Sequence, residues 1–176
     1  DFRPISRTCI QESKTWRHKM HEQNAEYVTN GPMTEVDVLN KASEILETKF
    51  LKGEGFTSPS AAKDFLRYKL AHQKREVFAV MLMDSQHRLI EYKELFFGTI
   101  NAAPVYPREV MKEVLQQNAA AIILAHNHPS GVTEPSEADK RVTTRIKDAL
   151  NHIDVPVLDH IVVGQDTVSF AERGLL

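Results

Sequence analysis

The hydrophobic positions along the chain fall into helical and extended patterns that alternate irregularly. Val36, Val38, Leu39, Ile45, Leu46 and Phe50 recur near helical spacing and predict a helix from Val36 to Phe50. Ser58-Pro59 then supplies a cap and a first-turn proline for a second helix running to about His72. The segment Val77–Met83 (VFAVMLM) is apolar at every position, which at this length suits a central strand covered on both faces better than a surface helix. Asp84-Ser85-Gln86-His87 reads as a hairpin turn, Arg88 to about Phe97 as the return strand, and Gly98 opens a loop holding Pro104 and Pro107. Arg108 to Asn118 suits a helix, Ala120 to Ala125 a buried strand, and Ser136 to about Asn151 a helix. Val155–Val163 and Thr167–Phe170 predict two further strands. Strands and helices mix without strict alternation, so the expected class is α+β, a mixed β-sheet flanked by helices. Ahead of this, residues 1 to about 35 are polar and end in the breaker pair Gly31-Pro32, the pattern of an arm or loosely attached helix.

Composition narrows the function classes. With 176 residues, 41% apolar and 26% charged, the chain can bury a core as one domain with an appended segment. Twenty-two Lys+Arg against twenty-four Asp+Glu leave a formal charge of -2, so no overall basic field advertises nucleic acid or an anionic membrane. One cysteine, Cys9, cannot form an internal disulfide; with eight histidines, any metal site is pushed toward imidazole and carboxylate ligands. No apolar run is longer than Ala119 to Ala125, which is far short of the roughly 20 residues that span a bilayer. The N-terminal residues show no signal-peptide h-region. A cytoplasmic protein without a membrane partner is expected.

The chemistry lies in AHNHPSGVTEPSEAD, Ala125 to Asp139, between the expected buried strand and the following helix. His126 and His128 are one residue apart, so an extended backbone projects both imidazoles to one side while Asn127 points away. Pro129-Ser130-Gly131 turns the chain back, and Asp139 in the first turn of the next helix can aim its carboxylate at the same point. Two His and one carboxylate suit Zn²⁺ at about 2.0–2.2 Å, and three protein ligands leave a fourth position for water, the arrangement of catalytic zinc. Water so bound becomes a nucleophile near neutral pH. Each part also has a plainer explanation. Two nearby histidines alone are often just polar loop residues, and Ser136-Glu-Ala-Asp139 is a capping signature that accounts for both its ends. The joint spacing favours the metal: His, one residue, His, seven residues, Ser, two residues, Asp.

In these residues the chain resembles the JAMM or MPN metallohydrolases, and specifically the RadC-like bacterial proteins. The likeness covers about Ser58 to Leu176, taking in REVFAVMLMD, GTINAAPVYPREV, NAAAIILAHNHPSG, PSEAD, DHIVVG and ERGLL. It divides the chain into an N-terminal extension, 1–57, and a RadC-like JAMM/MPN domain, 58–176. The resemblance implies the JAMM/MPN fold, a cytidine-deaminase-like mixed sheet with helices, holding one Zn²⁺ through His126, His128 and Asp139. It also implies that Ser136 stabilises the oxyanion and that an upstream glutamate is the general acid/base. Glu76 fits the family position of that glutamate best. A carboxylate at the mouth of a wholly apolar strand is also placed for partial desolvation, which favours proton transfer near neutral pH. Glu91, Glu94 and Glu109 are the other choices, and a solvated strand end is the plainer reading of Glu76. Asp159-His160 suits either hydrogen bonding to the ligands or a satisfied core pair.

The letters His-Asn-His at 126–128 invite confusion with HNH nucleases, whose motif residues are dispersed along a ββα-metal unit; here they are contiguous. His18, His21 and Cys9 match no zinc module. Lys140, Arg141, Arg145 and Lys147 read as a solvated face, and as the best local candidate for an anionic partner. The expected activity is peptide or isopeptide hydrolysis on a peptide or protein substrate. Two alternatives stand beside it. One is a DNA-repair or mobile-element-associated role of the RadC-like kind; residues 1–57 show no helix-hairpin-helix glycine hairpin, as in the short form, and the near-neutral charge speaks against DNA. The other is a non-catalytic MPN binding module, against which the intact ligand set argues.

Overall fold

The computed structural model describes residues 31–51, 59–98 and 105–176. Residues Thr34–Leu176 form one compact unit. Its elements in chain order are α1 (Glu35–Leu51), α2 (Pro59–Leu70), β1 (Val77–Met83), β2 (Leu89–Phe97), α3 (Pro107–Gln116), β3 (Ala121–Asn127), α4 (Glu137–Asn151), β4 (Val157–Val163) and β5 (Thr167–Ser169). This is the α+β class with a mixed sheet that the pattern predicts. Pro104 of the expected loop, and Cys9, His18 and His21, lie outside the described residues.

The sheet order is β2-β1-β3-β4-β5, with β3 and β4 parallel and the other pairs antiparallel. The wholly apolar strands take the centre because a strand there has both faces covered. Every residue of β1 is buried, and so is every residue of β3. Alternation sends Val77, Ala79, Met81 and Met83 to one face, against Phe65, Leu66 and Leu70 of α2. It sends Phe78, Val80 and Leu82 to the other, against Val110 and Val114 of α3 and Ile146 and Leu150 of α4. The hairpin between β1 and β2 closes on Asp84, whose Oδ1 accepts from the Gln86 and Arg88 amides, with His87 in the left-handed region at φ 57°.

Two buried strands carry polar residues, and one of them runs further than the pattern predicts. The apolar run suggests that β3 ends at Ala125, yet it continues through His126 to Asn127, because β1 and β4 flank it that far: Phe78 pairs with His126 and Asn127 with Val163. Asp159 and His160 lie inside β4, within the stretch expected to be a strand. Strand pairing tolerates such buried polar groups when hydrogen bonds satisfy them. Asp159 accepts from its neighbour's amide, His160 N, from Ser169 Oγ and from Ala171 N.

Asn127 points away from the two histidines, as alternation requires. Its Oδ1 accepts from Val77 N at 2.8 Å and its Nδ2 donates to Arg75 O at 3.0 Å and Gln73 O at 3.3 Å. This one side chain ties the entry of β1, and with it Glu76, to the end of β3. Asn127→Leu leaves these groups unsatisfied, and urea denaturation of metal-free protein is expected to show a loss of about 1–3 kcal/mol.

Candidate metal centre

His126 enters the site from β3 and is 1% exposed. Its ring lies nearly parallel to that of Phe78 across the pair, at 6.3 Å and 10°. His128 stands just beyond the strand, where its amide donates to Val163 O at 2.8 Å. The loop then bends at Gly131, whose φ of +82° is left-handed backbone that glycine adopts without steric cost. Gly131 N donates to His128 O at 2.9 Å. Val132 is thereby presented so that its carbonyl accepts from His128 Nδ1 at 2.6 Å.

Asp139 arrives on the first turn of α4. Ser136 is the N-cap, and a reciprocal capping box fixes the pair: Asp139 N donates to Ser136 Oγ at 3.1 Å, and Ser136 N donates to Asp139 Oδ2 at 2.7 Å. Ser136 Oγ also donates to Asp139 Oδ2 at 2.6 Å. The three side chains converge. His126 Nε2 and His128 Nε2 are 3.0 Å apart, with Asp139 Oδ1 3.4 Å from the former and Oδ2 3.7 Å from the latter. Among the described residues, His126, His128 and Asp139 form the one group of His, Cys, Asp and Glu able to hold a metal ion.

The chemistry of the donors fits a divalent cation. Thr143 Oγ1 donates its proton to Asp139 O at 2.6 Å, one helical turn back, so toward His160 Nδ1, also 2.6 Å away, it acts as acceptor. His160 is fully buried, and that burial first, then the nearby His126, depress its pKa well below the ordinary imidazole range and keep it neutral. A neutral His160 protonated at Nδ1 offers a bare Nε2, which accepts from His126 Nδ1 at 2.8 Å. His126 therefore presents an Nε2 lone pair to the centre. His128, donating from Nδ1 to a carbonyl, presents its Nε2 likewise. Two lone pairs 3.0 Å apart beside a carboxylate call for a positive charge between them, either a proton or a cation. Two imidazoles and a carboxylate suit zinc.

The electrostatics follow the same geometry. Half-burial pushes Asp139 up, but protons on the facing Nε2 atoms of His126 and His128, when no cation stands between them, together with the Ser136 hydroxyl outweigh it and hold the carboxyl far below its usual range. His128 is raised, first by the Asp139 carboxylate that faces its Nε2 and favours a proton there, against a burial penalty; the Val132 carbonyl adds to this, and the charge of Glu76 contributes last.

Of the candidate glutamates, Glu76 lies at the site. It lies two residues before Phe78, on the face of β1 where Phe78 stacks on His126, and its charge is felt at His128. It is half-buried. Glu94 sits on the other face, accepting from Tyr92 Oη and Gln73 Nε2. Glu91 pairs with Leu82 at the far end of β1, and Glu109 is engaged with Arg108 and Lys112 on α3. The Asp159-His160 pair splits: His160 joins the ligands, while Asp159 ties β4 to Ser169 and Ala171. Thr143 is the residue that sequence reasoning missed. Its only signal is its position four residues after Asp139, a common place for a threonine to bond back along a helix.

Purified protein is expected to carry about one zinc per chain by mass spectrometry, lost in His128→Ala and Asp139→Ala. Because the raised pKa of His128 makes the proton a stronger competitor, zinc affinity should fall with decreasing pH, beginning above the ordinary imidazole value of 6.5. Chelator competition across pH reads the onset, and a pH-independent affinity contradicts it. Thr143→Val keeps the shape but removes the acceptor for His160 Nδ1. A fold unchanged by circular dichroism with zinc held about 10–100-fold more weakly is expected.

Comparison with known proteins places this site in a family. The chain is 64% identical over 140 residues to a UPF0758 protein of Idiomarina loihiensis, a match covering 79% of this chain and 62% of that protein. It is 55% identical over 156 residues to a UPF0758 protein of Vibrio cholerae, covering 89% of this chain and 99% of the relative. A second Vibrio cholerae UPF0758 protein is 54% identical over 157 residues, with 89% and 100% covered. The sequence profile of the RadC-like JAB domain matches residues 56–175, which span the sheet and all three converging side chains, and the chain belongs to that family.

Proposed function

We propose that this protein is a zinc-dependent hydrolase that cleaves peptide or isopeptide bonds with water. The observation that carries the reading is the convergence of two imidazole Nε2 atoms and one carboxylate, with the charge of the half-buried Glu76 felt at His128. His128 and Asp139 retain 19% and 13% of their side-chain exposure, so the centre is reachable from solvent. His126, His128 and Asp139 would hold the zinc, which supplies a Lewis acid able to acidify water and polarise a carbonyl.

The remaining work falls to the chain's own groups. Glu76 accepts a proton from the attacking water as its oxygen bonds to the carbonyl carbon, then passes that proton to the amine as the C–N bond breaks. Ser136 and the N-terminal end of α4 face the developing oxyanion, where a hydroxyl donor and the helix dipole are favourable. The Ser136 hydroxyl is donated to Asp139 Oδ2, so this role requires it to exchange partners when substrate binds. The substrate is a peptide or protein. A DNA-directed role lacks equal support: Lys140, on the basic face of α4, is paired with Glu137 at 2.7 Å.

A library of peptides and isopeptide-linked peptides incubated with zinc-loaded protein tests the reading. Wild type is expected to turn over at least one sequence class. Glu76→Gln should retain zinc and lose roughly 10²–10⁴-fold in rate. Zinc-loaded wild type inert toward the whole library, or Glu76→Gln with the wild-type rate, sinks it.

A further inference from the structure

The DHIVVG segment ends at Gly164, in the turn between β4 and β5. This turn touches the His128 loop at both ends. Val163 O holds the His128 amide at 2.8 Å, and one residue past Gly164, Gln165 N donates to Gly131 O at 2.9 Å. Between these anchors Gly164 lies directly against the loop. A Cβ built on it would stand 2.6 Å from Gly131 O, 3.0 Å from Gly131 C and 2.8 Å from Thr133 Cγ2. Two of these atoms are backbone and cannot rotate aside. The turn is itself tight, closed by Gly164 N donating to Asp166 O at 2.8 Å, and Arg67 Nη2 donates to Gln165 O at 3.4 Å from outside. Beyond the pinch the two segments part around a hollow of about 410 Å³ lined by Ser130, Val132, Glu134 and Asp166 among others.

We infer that Gly164 is a positioning residue for the metal centre: the absence of its side chain lets the Gly131 carbonyl dock on the β4–β5 turn, which sets the Val132 carbonyl that orients the His128 ring. The path is short and entirely covalent or hydrogen-bonded. Gly131 adjoins Val132, and Val132 O accepts from His128 Nδ1 at 2.6 Å. His126 needs no such support, since strand pairing and His160 hold it. The two histidine ligands are thus positioned independently, one by the sheet and one by a glycine contact at its rim. This inference rests on the metal site of the proposed function but not on hydrolysis.

The test is Gly164→Ala, with zinc affinity measured by chelator competition and the ligand field read from cobalt(II) absorption. The metal-free readout is the His128 Nδ1–H resonance in imidazole-directed NMR. Expected are an unchanged sheet by circular dichroism, zinc held roughly 10–100-fold more weakly, an altered cobalt spectrum and a shifted or lost His128 resonance. Gly174→Ala is the control for a purely structural glycine. Its φ of +66° makes alanine straining, but a new methyl there meets nothing within 4 Å, so it should lose stability without changing metal affinity or spectrum. If Gly164→Ala fails to fold, Gly131→Ala disturbs the same carbonyl through its own φ of +82° with no atom within 4 Å of the methyl, and is read the same way. Wild-type affinity, spectrum and His128 resonance in the readable variant would overturn the inference, since the turn would then have yielded instead of the loop. Wild type that binds zinc but cleaves nothing removes the hydrolase reading and leaves this one intact.

Discussion

The hydrogen bond between two buried imidazoles, His126 Nδ1 to His160 Nε2 at 2.8 Å, is the contact on which the centre depends. A neutral imidazole donates from one nitrogen and accepts at the other, so every bond along such a chain fixes the next. Thr143 gives its proton to the helix backbone and can only accept from His160; His160 can then only accept from His126. The direction of the whole chain is decided by a helical carbonyl with nothing to donate. A ligand histidine in the wrong tautomer would present N–H where a cation needs a lone pair, and here the fold excludes that state before any metal arrives.

Such an arrangement costs stability. His126, Thr143, Asp159 and His160 are all buried, and each displaces an apolar side chain that the sheet would otherwise accommodate. Removing imidazoles and a carboxylate from water is unfavourable unless every donor and acceptor is matched. The matching is close to complete, through Thr143 on one face and Ser169 and Ala171 on the other. Where a strand carries function in its centre instead of at its end, the polar residues must be satisfied within the sheet. Parallel pairing of β3 with β4 accomplishes this by setting His126 and His160 on one face, two residues apart in register.

How much of this was legible in the sequence follows from the range of the forces involved. Local signals were readable. The uninterrupted apolar run Val77–Met83 announced a central strand, and Ser136 with Asp139 announced the start of α4, because alternation and capping are written within a few residues. The His-x-His spacing likewise foretold that Asn127 would point away. Strand ends were harder: β3 outruns its apolar stretch because neighbouring strands, not its own composition, decide where pairing stops. No role could be read for Thr143, which shows only its spacing from Asp139, or for Gly164, which merely closes the DHIVVG stretch. Their significance exists only once β4 lies beside β3 and α4 packs over both, contacts between segments far apart in the chain.

The division between the two histidines also bears on how such a centre can vary. His126 is part of the core, so displacing it disturbs Phe78, His160 and the sheet together. His128 depends on a loop whose outer side is open and whose far end is held by an exposed ion pair, Glu134 with Arg173 at 2.6 Å. An exposed pair of this kind contributes little to stability. Side-chain changes at the exposed loop positions Val132 and Glu134 can therefore alter the metal's surroundings and the access of substrate at small cost to folding, whereas changes at Gly131 or along β3 and β4 cannot. Rigidity is concentrated in one ligand and adjustability in the other, a consequence of where the strand ends.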